Sequence, residues 1–172
     1  MPLLSLLLAA VLLMLARPAW ADMAADVQAL LVKGDLGAAL QRVELALSNQ
    51  PREAQNRFMH AVVLMEMRRD DEAFKSFTRL SQEYPELPEP FNNIALLHAR
   101  AGQFELARQA LEAALRNDPG HRAARANLGE VHLVLAVQAW DAAAAQGPLD
   151  ARLARKLELA RALVGSGALS AR

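Results

Sequence analysis

Pro88-Glu-Pro-Phe-Asn-Asn-Ile-Ala-Leu-Leu-His-Ala-Arg-Ala-Gly-Gln-Phe-Glu-Leu-Ala-Arg-Gln-Ala-Leu-Glu-Ala-Ala-Leu-Arg-Asn-Asp-Pro-Gly-His121 decides the fold. Its apolar residues recur at helical spacing on either side of Gly102, and Pro119 closes it. The segment predicts two amphipathic helices folded back on each other. Moving 34 residues at a time, the same features return. Pro51, Pro85 and Pro119 are one column; Ala39, Ala73 and Ala107 stand twelve residues before them, and Val43, Phe77 and Leu111 eight before. Ala46, Leu80 and Ala114 form a fourth column, and Val27, Ala61 and Ala95 a fifth. Small residues at Ala61, Ala95 and the Ala39 column let paired helices cross closely, while the larger apolar residues fill the space between successive pairs. Each proline ends a second helix, because its ring cannot continue the hydrogen-bond ladder and the preceding residue is pushed out of the helical region. Gly34 and Gly102 mark the turn inside the hairpin; Arg68 holds that place in the second unit, whose turn must form without glycine.

These columns resemble the tetratricopeptide repeat (TPR) family, whose frame places W-x2-L-G-x2-Y, A-x3-F and P over 34 residues. The third unit has Phe91, Ile94-Ala95, His98, Ala107, Leu111 and Pro119; the second has Arg57, His60-Ala61, Leu64, Ala73, Phe77 and Pro85. The first keeps Val27, Leu30, Ala39, Val43 and Pro51. The resemblance covers residues 22–134. It implies an all-α fold, a right-handed α-solenoid of antiparallel helix hairpins in units 22–53, 54–87 and 88–121. A fourth unit fits the frame only through Ala126-Asn127-Leu128-Gly129 and His132. No turn follows near Ala136; instead Leu128, Leu135, Val137, Trp140 and Ala144 continue an apolar series. That pattern predicts one long helix over 122–146, broken by Gly147-Pro148. A capping helix follows over 149–164, with Leu153, Leu157, Ala160 and Leu163 facing inward. Residues 165–172 are expected to fray.

The resemblance also implies a binding mode. First helices of successive TPR units line a concave groove that holds another polypeptide. On this chain the groove positions fall at Phe58, Met59, Val62, Asn92, Asn93, Leu96, Arg100, Asn127 and Glu130. Phe58, Met59, Val62 and Met65 read as an exposed apolar patch or as packing against the first unit. Asn93 and Asn127, 34 apart, are expected to project in register, and an amide can pair with a peptide backbone through both a donor and an acceptor. Hydration of a helix face is the plainer role for them. Some TPR domains clamp a C-terminal carboxylate with Lys and Arg flanking an Asn. Here Ala123 and Asn127 stand where those cations belong, so recognition of an acidic C-terminus is not expected.

Composition agrees with helices. Apolar residues are 53 % of the 172, with few aromatics, and Ala and Leu dominate. Nineteen basic and nineteen acidic residues balance, against the basic surface that a nucleic-acid partner requires. The balance is uneven along the chain. Residues 22–51 hold two basic and four acidic groups, and residues 122–172 seven and four. The basic end suits a solvated helix face, an acidic partner or anionic lipid.

Catalytic and cofactor patterns do not emerge. The chain has no cysteine, so thiol chemistry and disulfides are excluded. His60, His98, His121 and His132 make no metal-binding spacing, and no cofactor is expected. His98 and His132 share the family's Tyr column, which predicts partly buried structural imidazoles. No phosphate loop or nucleophile elbow occurs.

Residues 1–21 are distinct. An apolar run from Pro2 to Ala16, interrupted only by Ser5, precedes Arg17-Pro18 and Ala19-Trp20-Ala21. Small residues at Ala19 and Ala21 match a signal-peptidase site, with cleavage expected after Ala21, although no Lys or Arg precedes the run. An uncleaved membrane anchor is the other reading, but the run is shorter than the ~20 residues that span a bilayer. The sequence therefore predicts an exported, periplasmic, non-catalytic adaptor that binds a partner protein. The alternative is an inner-membrane-anchored structural subunit of an envelope assembly or secretion complex, facing the periplasm; membrane contact then requires retention of residues 1–21.

Overall fold

The computed structural model describes residues 19–165, and the run before Ala19 and the tail after Gly165 lie outside them. Among the described residues eight helices follow one another: α1 (Ala19–Lys33), α2 (Leu36–Asn49), α3 (Ala54–Glu66), α4 (Asp70–Glu83), α5 (Pro88–Arg100), α6 (Phe104–Asn117), α7 (Arg122–Ala144) and α8 (Ala151–Gly165). No strand occurs among the described residues. The fold is an all-α helical repeat. None of the described helices is long and apolar enough to cross a membrane.

The 34-residue period is built into the backbone. Gly34, Arg68 and Gly102 all adopt positive φ, at 75°, 60° and 73°. Around each, two hydrogen bonds close the preceding helix: Gly34 N to Leu31 O with Asp35 N to Leu30 O, Arg68 N to Met65 O with Arg69 N to Leu64 O, and Gly102 N to Ala99 O with Gln103 N to His98 O. This is the Schellman closure, which satisfies carbonyls that a helix end leaves unpaired. The second-unit turn thus forms without glycine by forcing an arginine into the left-handed region.

The proline column has an equally regular role. Gln50, Tyr84 and Asp118 each donate a backbone N–H to the residue four before, Ala46, Leu80 and Ala114. Their own carbonyls then accept from Glu53, Leu87 and His121. Each proline therefore occupies the second position of a four-residue turn, where its fixed φ is already suitable.

The chain divides into two compact units, up to Ala73 and from Phe74. In the first, Met23, Val27, Ala39, Val43, Met59 and Val63 form the core, with Leu30, Ala46 and Phe58 packed against it. In the second, Ala95, Ala107, Leu111, Ala114, Ala124 and Val131 form the core, flanked by Phe91, Phe104, Leu128 and Leu135. The columns headed by Val27, Ala39 and Val43 are at most 1 % exposed at all nine positions. Burying such side chains is worth roughly 1.5–3 kcal/mol each for the larger ones.

Three expectations shift. The capping helix α8 begins at Ala151 rather than at 149. The long helix ends at Ala144, two residues short of Gln146. On α8, Leu157 and Ala160 are buried, but Leu163 is exposed and Val164 takes the inward place. The cause is helical phase: Val164 lies two turns beyond Leu157 on the same face, whereas Leu163 is rotated a quarter-turn or more away. Asp150 caps α8, its Oδ1 accepting from Leu153 N at 2.9 Å.

Candidate functional site

The polar centre of the second unit is a pair of amides. Asn127 on α7 donates through Nδ2 to Oδ1 of Asn92 on α5, at 2.9 Å. Asn92 is only 8 % exposed and Asn127 is half-buried. Expectation placed Asn93, not Asn92, in register with Asn127. Asn93 is also buried, and its Nδ2 turns back to the carbonyl of Glu89 at 2.9 Å, one turn earlier on its own helix. The residue that meets Asn127 is therefore offset by 35 rather than 34.

Around this pair, α5 carries exposed Glu89 and half-buried Leu96 and Arg100, and α7 carries half-buried Glu130. The face is mixed in charge. Ala123 is exposed and offers no cation beside Asn127. The amides retain a donor on Asn92 and an acceptor on Asn127 beyond the bond they share, which is the complement of one peptide unit.

In the first unit, Met59 is 7 % exposed and belongs to the core with Met23 and Val27, and Met65 is buried too. Neither is part of a surface patch. The helix turns Met59 toward the preceding hairpin, leaving Phe58 and Val62 partly exposed. Asn56 was not singled out from sequence. It is buried, and its Nδ2 reaches the carbonyl of Ala46 at 3.4 Å, tying the start of α3 to the end of α2. A polar residue on the buried face of an otherwise apolar helix was the available signal.

The histidines differ from one another. His98 donates from Nδ1 to Oε1 of Gln103 at 2.7 Å, and its ring meets Phe74 edge-on at 5.1 Å. His132, expected to be partly buried, is exposed, because Leu128, Val131, Val134 and Leu135 occupy the inner face of α7. His121 caps α7, its Nδ1 accepting from Ala124 N at 3.1 Å. Burial lowers the pKa of His60 below its ordinary 6.5; Glu44 opposes this and Arg69 adds to it. No cluster of three or more metal-ligating side chains occurs among the described residues.

Family models described as tetratricopeptide repeat match residues 55–86 and 88–131. The chain is a tetratricopeptide repeat protein. Solved TPR structures are similar to it in fold. The Sgt2 TPR domain from Aspergillus fumigatus has a TM-score of 0.63 at 14 % identity, covering 78 % of this chain and 88 % of that one. TTC0263, a thermophilic TPR protein of Thermus thermophilus, has a TM-score of 0.58 at 18 % identity, covering 80 % and 78 %. The second TPR domain of human RPAP3, determined in complex with the HSP70 peptide SGPTIEEVD, has a TM-score of 0.54 at 16 % identity, covering 64 % and 92 %. No curated protein matches the chain in sequence.

Ala19 and Ala21 fall in the first turn of α1, whereas the run before them lies outside the described residues. Met23, two residues beyond Ala21, belongs to the core of the first compact unit.

Proposed function

We propose that this TPR protein is an interaction module whose second unit takes a segment of another polypeptide along α5 and α7. The Asn92–Asn127 bond carries the reading. Each amide fixes the other's orientation, so the remaining donor and acceptor are set before a ligand arrives and little rotamer entropy is lost on binding. Leu96 supplies an apolar contact beside them, and Glu89, Arg100 and Glu130 set the polarity of the segment accepted. The RPAP3 domain, of the same fold, holds a peptide. That peptide ends in Glu-Glu-Val-Asp, and Ala123 and Asn127 offer no cation to such an acidic end here, so an internal segment or a helix fits better. The reading assigns the protein no reaction.

The pattern of residues 1–21 supports a place outside the cytoplasmic membrane, with an envelope protein as partner. Intact mass of the exported protein tests this: loss of residues 1–21 supports a free periplasmic adaptor, and retention in the membrane fraction supports an anchored one.

The binding face is tested with a photo-crosslinking residue at Leu96 and the double variant N92A/N127A. Removing both amides leaves no orphaned partner, so helicity by circular dichroism should persist. Crosslinked partner should fall severalfold. Unchanged capture by the folded variant places the partner elsewhere.

A further inference from the structure

We infer that a second copy of this chain docks the outward face of its α8 on the outward face of α1, carrying the helix stack from one copy into the next.

Each repeat interface shows what such a face is for. Within the first unit, α2 packs against α1 and against α3; within the second, α6 packs against α5 and α7. A second helix is thus covered on one side by its own hairpin and on the other by the next first helix. First helices bury a matching column. Met59 and Val63 are buried on α3, and Val63 continues 34 residues apart as Leu97 on α5 and Val131 on α7. On α1 the same columns are Ala25 and Ala29, and both are exposed. Val32, one turn further along that face, is 80 % exposed. The face that elsewhere receives a preceding second helix is bare.

Helix α8 offers the counterpart. It packs against α7 through Leu157 and Ala160, while Leu159 and Leu163, one turn apart on the other side, are 60 % and 57 % exposed. A helix that closes a repeat stack normally presents a polar outer face. Leucines on one face and alanines on the other give the large-against-small fit that lets helices pack closely. Charge agrees. Across residues 19–49, acidic residues outnumber basic ones by two; on α8, Arg152, Arg155, Lys156 and Arg161 outnumber Glu158 by three. A second copy of the chain carries the complement of either face. Because the two surfaces differ, the contact is head-to-tail and each copy can hold two neighbours.

Sedimentation velocity of the full chain over a concentration series tests this, with V32E blocking the α1 face and L159E/L163E the α8 face. The wild type should associate, and either variant alone should do so on the order of 30-fold more weakly, as expected for a carboxylate buried without a partner at an interface. Mixed one to one, the variants still own one intact face each, and they should form dimers and stop there. A monomeric wild type at the highest concentration reached overturns the inference. So does a mixture that stays monomeric, or association that both variants leave untouched, as contact through residues 1–21 would. Circular dichroism verifies that the variants fold. Should the leucine variant unfold, the charge reversal R155E/K156E at exposed positions gives the same readout.

Discussion

Positions 34, 68 and 102 share a backbone conformation but not a residue. Glycine takes positive φ freely, and a Cβ at Gly34 or Gly102 would meet nothing within 4 Å, so any penalty there is purely one of backbone. Arginine in the left-handed region costs roughly 1–2 kcal/mol, of which glycine's extra freedom in the unfolded chain offsets part. Arg68→Gly should therefore raise stability by about 0.5–1 kcal/mol, read as a higher urea midpoint. Gly102→Ala should lower it by about 1 kcal/mol. His60 makes a pH prediction. Its folded pKa lies below the unfolded 6.5, so the unfolded chain binds the proton more readily, and stability falls as pH drops below that value. His60→Gln should flatten that part of the stability–pH curve, leaving the carboxylate-driven loss at lower pH. An unchanged slope would show that the imidazole is not penalised by folding.

At the scale of the helix, the buried face was legible because it repeats. Leu111 is wholly enclosed on α6 and contacts both flanking helices' core residues. Leu111→Ala should cost about 2–5 kcal/mol, measured by denaturant titration. Phase errors arose where the repeat frame stops. Leu163 was expected inward on α8 and is exposed, since no third copy of a column fixes the rotation of that helix. His132 inherited a packing role from its column, but α7 runs on past the hairpin and buries Val131 and Val134 instead. Burial on the four repeat-framed columns therefore follows from spacing, whereas burial on α7 and α8 depends on which neighbour each face meets.

Over the whole molecule, two cores built from the same columns predict local rather than uniform loss of protection. Repeat arrays are stabilised by each unit and its nearest neighbours, so a defect is felt mainly nearby. Leu111→Ala should accelerate amide exchange across α5–α7 more than across α1–α3, and Val43→Ala the reverse. Equal acceleration everywhere in both variants would mean that the chain opens as one cooperative block.

The sequence by itself determined the helical repeat, its 34-residue period, the positions of both kinds of turn and the core columns, because each is a local backbone demand or a spacing along one chain. Tertiary structure decided which amides meet. Asn127 bonds Asn92 rather than Asn93, and Met59 turns into the core while Phe58 stays at its edge. Those outcomes depend on how neighbouring helices pack, which leaves no mark on the period itself.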